Sequence, residues 1–347
     1  MKIGFVVNKV ATERTNYSTT HMALTAHIRG HQVYYIEVAD FTLGSDEMVH
    51  AYAHKPPPRK FRTASTFFKA MQSQEALRER ISVEMLDVLM LRNDPARVEP
   101  HQSWARTAAM NFGRLALRHG VIVLNDPDGL SHASNKMYLE QFPMSVRPRS
   151  TITRSADDIK AFIRAEGGRI ILKPLAGSGG HNVFLISKDE PNVNQIIEAV
   201  LNDGYALAQE YLPAASKGDV RLFLMNGRIM EHDGKIAAIH RQGSTGEIRS
   251  NLTVGGRVAK VELTDAMREI AQVVRPRLVQ DGMFLVGLDV VKDKLMEINV
   301  FSPGGLVGAG RLNTISFVDM IIDALELKVA HLGHDARRYT NAEIATL

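Results

Sequence analysis

The chain has 347 residues, which exceeds the size of one compact core and predicts two or three domains. Its 45% hydrophobic and 23% charged residues match an average globular protein and exclude disordered, collagen-like and coiled-coil classes. A net charge of +4 is compatible with phosphate-bearing ligands and does not indicate nucleic-acid binding. Cysteine is absent, which excludes disulfides, thiolate metal sites and a cysteine nucleophile.

The chain shows no sign of export or of membrane insertion. The apolar stretch within the opening segment MKIGFVVNK is too short for a signal peptide and is interpreted as a first β-strand. No run of apolar residues is long enough for a membrane-spanning helix. We therefore expect a cytoplasmic protein.

The first third of the sequence alternates between strand and helix patterns. Strands are predicted at residues 3–7, 33–37, 86–91 and 121–124, and helices at 18–29 and 104–118. This alternation predicts a parallel sheet.

A turn cluster, Asp126-Pro127-Asp128-Gly129, marks a change to shorter and more often paired strands. Strands are predicted at 170–173, 183–186, 205–209 and 220–225, and helices at 155–163, 192–201 and 266–278. We predict domains at residues 1–125, 126–205 and 206–347.

A glycine-rich loop lies between two predicted strands in the segment that contains Lys173, Gly177, Gly179 and Gly180. Glycines allow the backbone to approach phosphate oxygens, and a nearby lysine supplies positive charge. The loop fits neither a Walker A site nor a Rossmann fingerprint, because it leads into a strand. It is a candidate phosphate loop, and an ordinary hairpin turn is the alternative.

Two strand patterns, 284–291 and 295–300, flank the three-residue segment Lys292-Asp293-Lys294 and predict an antiparallel hairpin. That register places Asp289 opposite Glu297, with Asn299 on the same face as Glu297. Unpaired carboxylates among apolar strands are costly, and Mg²⁺ bridging to phosphates would remove that cost. The alternative is a hairpin whose polar face lies in water.

Two further stretches are less specific. The segment 209–213 ends a strand whose backbone N–H and C=O groups could hydrogen-bond to the edge of an adenine. Asp219 and Arg221 follow, and such a pair is more often a surface pair than a catalytic one. Arg241 and the polar loop 246–256 add arginine forks that suit carboxylates and phosphates.

With these stretches in order, the sequence resembles the bacterial glutathione synthetase family of ATP-grasp ligases over nearly its whole length. The matching segments are Leu91-Arg92-Asn93-Asp94-Pro95, Ser134-Asn135-Lys136, Leu172-Lys173-Pro174-Leu175 with Gly179-Gly180, Ala208 to Pro213, Gly218-Asp219-Val220-Arg221, Arg249-Ser250-Asn251-Leu252, and Val286 to Asp289 with Glu297 to Val300. Their order and spacing indicate the superfamily more strongly than any single segment does.

The resemblance implies an α/β (α+β) protein: an ATP-grasp fold with an N-terminal Rossmann-like pre-ATP-grasp domain. It implies ATP and two Mg²⁺ ions, or Mn²⁺, as cofactors. The implied roles are ATP binding for Lys136, Lys173, Gly177, Ser178, Gly179, Gly180, Gln209, Glu210, Tyr211, Leu212 and Asp219; metal binding for Asp289, Glu297 and Asn299; catalysis for Arg221 and Arg241; and substrate binding for Arg92, Arg249, Asn251, Ser302, Gly304 and Gly305.

The implied reaction is ADP-forming ligation of a small-molecule carboxylate to an amine through an acyl phosphate, without nucleic acid or membrane, in a homo-oligomer. Glutathione synthesis from γ-glutamylcysteine and glycine is the leading expectation. The segment 301–311 is glycine-rich where the family has Ser-Pro-Thr and an arginine-glutamate pair, and Ala176 replaces an aspartate. A ligase that makes another peptide or amide, and a nucleotide-binding protein without turnover, are therefore the alternatives.

Overall fold

A computed structural model describes residues 1–177, 182–243, 257–335 and 339–347. The strands of these ranges form three main β-sheets and a short two-stranded ribbon, with helices packed against the sheets. The predicted α/β class is therefore confirmed. None of the helices in these ranges is long and apolar enough to cross a bilayer.

The first sheet has the strand order β4-β3-β2-β1-β5-β6. Its elements are β1 (Lys2–Val7), α1 (Ser18–Ile28), β2 (Gln32–Leu43), β3 (Val49–Lys55), α2 (Ala64–Gln72), β4 (Leu77–Ser82), β5 (Val88–Leu91), α3 (Ala105–Leu117), β6 (Ile122–Leu124) and α4 (Pro127–His132). Strands β2, β1, β5 and β6 are parallel, as predicted, whereas β3 and β4 extend the sheet in antiparallel fashion. Strands β3 and β4 and helix α2 were not predicted, and the exposed, charge-rich β4 has no apolar alternation to reveal it.

The second sheet is antiparallel, with the order β7-β10-β8-β9. Its elements are β7 (Ser150–Thr153), α5 (Ala156–Ala165), β8 (Ile170–Pro174), β9 (Phe184–Ile186), α6 (Val193–Asn202) and β10 (Ala206–Glu210). Apolar residues of α5 and α6 pack on this sheet in a small separate core. Strand β10 carries this sheet to Glu210, beyond residue 205, where the second predicted domain ends.

The third sheet has the order β16-β15-β11-β17-β18, with β12 beside β11. Its strands and the C-terminal helices are β11 (Asp219–Met225), β12 (Arg228–Ile229), β13 (Glu231–His232), β14 (Lys235–Ile236), β15 (Ala238–Gln242), β16 (Arg257–Ala259), α7 (Asp265–Gln280), β17 (Leu285–Val291), β18 (Lys294–Asn299), α8 (Leu306–Asn313), α9 (Phe317–Asp335) and α10 (Asn341–Thr346). Strands β13 and β14 form the separate ribbon.

The third sheet is fastened to the first by a buried asparagine. The side-chain amide of Asn125, just after β6, donates to the carbonyl oxygens of Leu285 and Val300 at 3.1 and 2.5 Å. Its Oδ1 accepts from the backbone N–H of Leu285 at 2.9 Å. Because these bonds hold the start of β17 and the residue after β18, the hairpin has a fixed position relative to the first sheet.

Asp289 pairs with Glu297 in the β17–β18 hairpin, as predicted, but the turn is shorter than predicted and the register shifts within the hairpin. The turn has two residues, Lys292 and Asp293, because Val291 already pairs with Lys294. A register shift between Asp289 and Val290 then compensates for the shorter turn. The predicted three-residue loop is therefore wrong, and a β-bulge restores the predicted pairing of Asp289 with Glu297.

We expect Gly218→Ala to destabilise the fold strongly. Gly218 has a φ of 98°, and a Cβ there would lie 2.0 Å from the carbonyl oxygen of Arg241. A backbone clash added to the strain of a positive φ should reduce the free energy of unfolding by more than about 2 kcal/mol. Urea denaturation measures this loss.

Gly204→Ala is the matched control, because Gly204 has a φ of 113° and open space where its Cβ would lie. Its cost should be limited to the backbone strain, about 1 kcal/mol. Equal losses for the two variants would contradict the role of close backbone approach at Gly218.

Candidate active site

A cleft lies where the three sheets meet. Its lining comes from the loop after β5 (Asp94, Pro95, Ala96), from the segment after α4 (Ala133, Ser134, Asn135, Lys136, Tyr138, Leu139), from the second sheet (Lys173, Gly177, Leu207), and from β18 and the residues after it (Met296, Glu297, Ile298, Asn299, Val300, Phe301, Ser302). Six of the residues predicted from the sequence are in this set: Lys136, Lys173, Gly177, Glu297, Asn299 and Ser302. The sequence analysis did not assign a role to Asp94–Ala96, although residues after a parallel strand commonly line ligand sites.

Two lysines supply positive charge on one side of the cleft. The Lys136 ammonium donates to the carbonyl oxygens of Pro174 and Gly177 at 3.1 and 2.8 Å, and Lys173 donates to Gln209 Oε1 at 3.0 Å. Burial lowers the pKa of Lys136 to about 8, against the opposing effect of Glu297, and burial also lowers the pKa of Lys173. Neither ammonium forms an ion pair within the described ranges, so an anionic ligand would stabilise both.

Asp289 lies buried between two arginines. Arg221 binds it through Nε and Nη2, each 2.7 Å from a carboxylate oxygen, and Arg241 Nη2 lies 2.8 Å from Oδ2. Burial by itself would raise the pKa of Asp289, but the two guanidinium groups lower it below its usual value. The carboxylate therefore stays ionised in an apolar setting.

Arg241 also forms a two-pronged ion pair with Asp219, with both nitrogen-oxygen distances at 2.7 Å. Burial would lower the pKa of Arg241, but Asp289 and Asp219 raise it above its usual value. Asp219 thus pairs with Arg241 across β11 and β15, and Arg221 pairs with Asp289 across β11 and β17. The sequence had suggested a surface pair of Asp219 with Arg221, which is not the pairing in the structure.

Glu297, Asn299 and Asp289 form a set of oxygen donors on the hairpin. Glu297 makes no hydrogen bond within the described part of the chain and faces the cleft. Asn299 Nδ2 donates to Asp289 Oδ2 at 3.3 Å, which leaves Oδ1 available. The described ranges contain no cluster of three His, Asp or Glu side chains able to hold a metal by themselves. Both oxygens of Asp289 accept from arginines, so Glu297 and Asn299 are the donors with open oxygens. They fit Mg²⁺, which commonly takes one or two carboxylates together with substrate phosphates.

The residues predicted to hold adenine have varied surroundings. Gln209 is buried, and its Nε2 has no partner in the described part of the chain. The Glu210 carboxylate accepts from the Arg149 backbone at 3.0 Å, and the Tyr211 ring lies 4.0 Å below the Arg169 guanidinium carbon. Glu210, Tyr211 and Leu212 are not among the residues that line the cleft, so only Gln209 is tied to it, through Lys173.

The predicted substrate residues approach the cleft from the first and third sheets. Arg92 is buried and donates to Thr19 Oγ1 at 3.3 Å and to the Phe301 carbonyl at 3.5 Å. The Gly304 carbonyl accepts from Arg221 at 3.3 Å, and Gly305 has a φ of 105° just before α8. Ser178, Gly179, Gly180, Arg249 and Asn251 lie outside the described residues.

Family models and named relatives both show similarity to prokaryotic glutathione synthetases. The family described as prokaryotic glutathione synthetase, N-terminal domain, matches residues 1–131, and prokaryotic glutathione synthetase, ATP-grasp domain, matches residues 135–313. A glutathione synthetase of Synechococcus elongatus is 33% identical over 95% of this chain and 99% of its own. One of Vibrio parahaemolyticus is 32% identical over 95% of this chain and 99% of its own.

Solved structures share the fold at low identity. The D-cycloserine synthetase DcsG has a TM-score of 0.63 at 12% identity, covering 93% of this chain and 99% of its own. The macrocyclase MdnC of Microcystis aeruginosa, bound to a precursor peptide, has a TM-score of 0.58 at 12% identity, and the match covers 93% of this chain and 100% of its own. The fold is therefore the ATP-grasp fold, and by sequence the chain belongs to the prokaryotic glutathione synthetase family.

Proposed function

We propose that this ATP-dependent, ADP-forming ligase joins γ-glutamylcysteine to glycine. Relatives at 33% and 32% identity over 95% of the chain carry the name glutathione synthetase. The observation that carries the proposal is the charge arrangement of one cleft, with Lys136 and Lys173 on one wall and Glu297 and Asn299 on another. Asp289, held by Arg221 and Arg241, lies directly opposite Glu297.

The residues suit phosphoryl transfer followed by acyl transfer. A carboxylate oxygen of the first substrate attacks the γ-phosphate of ATP, and the lysine ammonium groups offset the charge on the transferred group. Arg221 and Arg241 keep their positive charges next to the resulting acyl phosphate. The amine then displaces phosphate and forms the amide bond, aided by proximity. Mg²⁺ at Asp289, Glu297 and Asn299, two ions in our proposal, would supply further charge neutralisation when bound.

A ligase of the same chemistry with a larger amine substrate is the second candidate. A Cβ at Gly304 or Gly308 would meet no atom within 4 Å, and neither residue has a positive φ. The glycines are therefore not required by the backbone, and they leave open space in the segment that departs from the family. ADP release with γ-glutamyl dipeptides and a panel of amines separates the candidates. Turnover with glycine supports the first, turnover only with larger amines supports the second, and ATP binding without turnover supports a non-catalytic protein.

We also propose a domain organisation, a cellular location and roles for further residues. The domains are proposed at residues 1–125, 126–205 and 206–347, in a cytoplasmic homo-oligomer that acts on small molecules without nucleic acid or membrane. Gly177 to Gly180 would cover the triphosphate, Arg249 and Asn251 would hold the amino-acid substrate, and Gln209 to Leu212 would hold adenine. These roles stay predictions.

We expect Glu297→Ala to reduce ADP release by at least about 10²-fold, because one of two carboxylates available to Mg²⁺ is lost. The Mg²⁺ concentration for half-maximal activity should also rise. Asp293→Ala is the matched control, since Asp293 is an exposed acid in the turn of the same hairpin. Full activity of Glu297→Ala, with an unchanged Mg²⁺ requirement, would remove the metal assignment.

The affinity for ATP should weaken above pH 8. Lys136 has a lowered pKa of about 8, so its ammonium is present below that pH and is lost as pH rises through it. A bound triphosphate favours the ammonium form, so KM for ATP should rise by up to about tenfold per pH unit above 8. Steady-state kinetics between pH 7 and 10 measure this dependence.

Lys136→Met should show a high KM for ATP and should lose the change of slope near pH 8. A variant that keeps the wild-type pH profile would show that another group is responsible.

A further inference from the structure

Asp281 is a buried carboxylate at the end of α7, and it is not among the residues that line the cleft. Only 4% of its side chain is exposed. Its Oδ2 accepts two short hydrogen bonds, from Arg277 Nε and from the Tyr138 hydroxyl, each at 2.7 Å. Its Oδ1 lies 3.4 Å from Nδ1 of His132. Arg277 belongs to the same helix, so Tyr138 and His132 are the partners that connect Asp281 to another part of the chain.

The packing around Asp281 is tight. Burial of an ionised carboxylate is costly unless a counter-charge and hydrogen bonds offset it, and Arg277 supplies the charge. Gly129 of α4 lies so close that a Cβ there would collide with the carbonyl oxygen of Asp281. The end of α7 is therefore held against α4 and against the segment that follows α4.

Tyr138 carries this contact to the wall of the cleft. It belongs to a short 3-10 helix, Lys136–Gln141, and it lines the cleft although it is only 3% exposed. Its ring packs edge-on against Phe142, with 5.4 Å between the ring centroids. A 3-10 helix has three residues per turn, so Lys136 and Tyr138 leave it on different sides. Their hydroxyl and ammonium groups thus reach different neighbours.

The short helix depends on these neighbours for its position. Its six residues form a type of helix that is seldom stable in longer runs, because its hydrogen-bond geometry is poor. At Lys136 it is tied to the second sheet, where the backbone N–H donates to the Leu175 carbonyl at 3.2 Å. Within the described ranges, the hydrogen bond that ties it to α7 is the one from Tyr138 to Asp281. A hydrogen bond to a carboxylate is about twice as strong as one between neutral groups.

We propose that Asp281 is a positioning residue of the ligase, and that through the Tyr138 hydroxyl it fixes the short helix that places the Lys136 ammonium in the cleft. The inference rests on the proposed role of Lys136 in ATP binding. Asp281 acts through Tyr138 and touches no substrate itself. Loss of the hydrogen bond keeps the lysine in the chain but lets its helix shift, so the affinity for ATP falls.

A double-mutant cycle on the Kd for ATP, measured by calorimetry with Mg²⁺ present, tests this role. Tyr138→Phe removes the hydroxyl and keeps the ring, and it should weaken ATP binding by roughly tenfold, the lower end of the effect of a hydrogen bond to a charged group. In Lys136→Met the same change should weaken binding no further, because the positioned ammonium is already absent.

Substitutions of Asp281 itself add a graded comparison. Asp281→Ala removes the acceptor and should weaken ATP binding as much as Tyr138→Phe does. Asp281→Asn keeps one amide oxygen that can accept from Tyr138, so it should restore part of the affinity.

Arg277→Gln is the matched control. It removes the other short hydrogen bond to the same oxygen of Asp281, and this bond does not reach the short helix. Its melting temperature should therefore fall, because a buried carboxylate loses its counter-charge, while its Kd for ATP should equal that of the wild type. Equal losses of ATP affinity in Arg277→Gln and Asp281→Ala would show a purely structural role and overturn the inference.

The inference would also be overturned if Tyr138→Phe bound ATP as tightly as the wild type, or weakened binding equally with and without Lys136. Either result leaves the ligase function in place. Failure of the wild type to release ADP with any carboxylate and amine would overturn the proposed function instead. The binding cycle still decides the inference in that case, because it requires no turnover.

Discussion

The burial of one ionised carboxylate, Asp289, is the constraint on which the site depends. A charge at this depth is stable only if it is fully paired. Arg221 supplies that pairing from the neighbouring strand β11, and Arg241 supplies it from β15, one strand further along the sheet. The registers that bring them together form two adjacent rows on one face of the sheet. In one row Arg241 lies opposite Asp219, and in the other Arg221 lies opposite Asp289, which lies opposite Glu297. A shift of one residue in any of these pairings would turn a charge to the other face of the sheet.

Both arginines are held in place by these ion pairs. In the catalytic role that we propose for them, little reorganisation would be needed if negative charge develops beside them. The cleft also carries Lys136 and Lys173, whose pKa values burial lowers, and within the described residues these ammonium groups donate only to neutral oxygens. Their charges are therefore unpaired there, whereas Asp289 is paired with two arginines.

The first sheet contributes more than support. Asn125 joins its end to the β17–β18 hairpin, and Arg92 reaches the loop that follows that hairpin. Among the described residues, Glu13, Ser18, Asp40 and Gln209 each have a buried side-chain atom without a hydrogen-bond partner.

Local patterns were enough to predict the parallel centre of the first sheet and the pairing of Asp289 with Glu297, because each depends on residues close together in the chain. They also predicted strands β8 to β11 and helices α1, α3, α5, α6 and α7, but not α2, α4 or the C-terminal helices α8 to α10. Strands β3 and β4 escaped prediction because β4 is an exposed, charged edge strand. The two-residue turn with its bulge could not be read from a hydrophobic pattern, since either loop length preserves the alternation on one face. The exchange of partners between Asp219, Arg221, Arg241 and Asp289 arose only in the folded chain. Such contacts join residues far apart in the chain, such as Arg221 and Asp289, and their strength depends on burial that no single segment specifies.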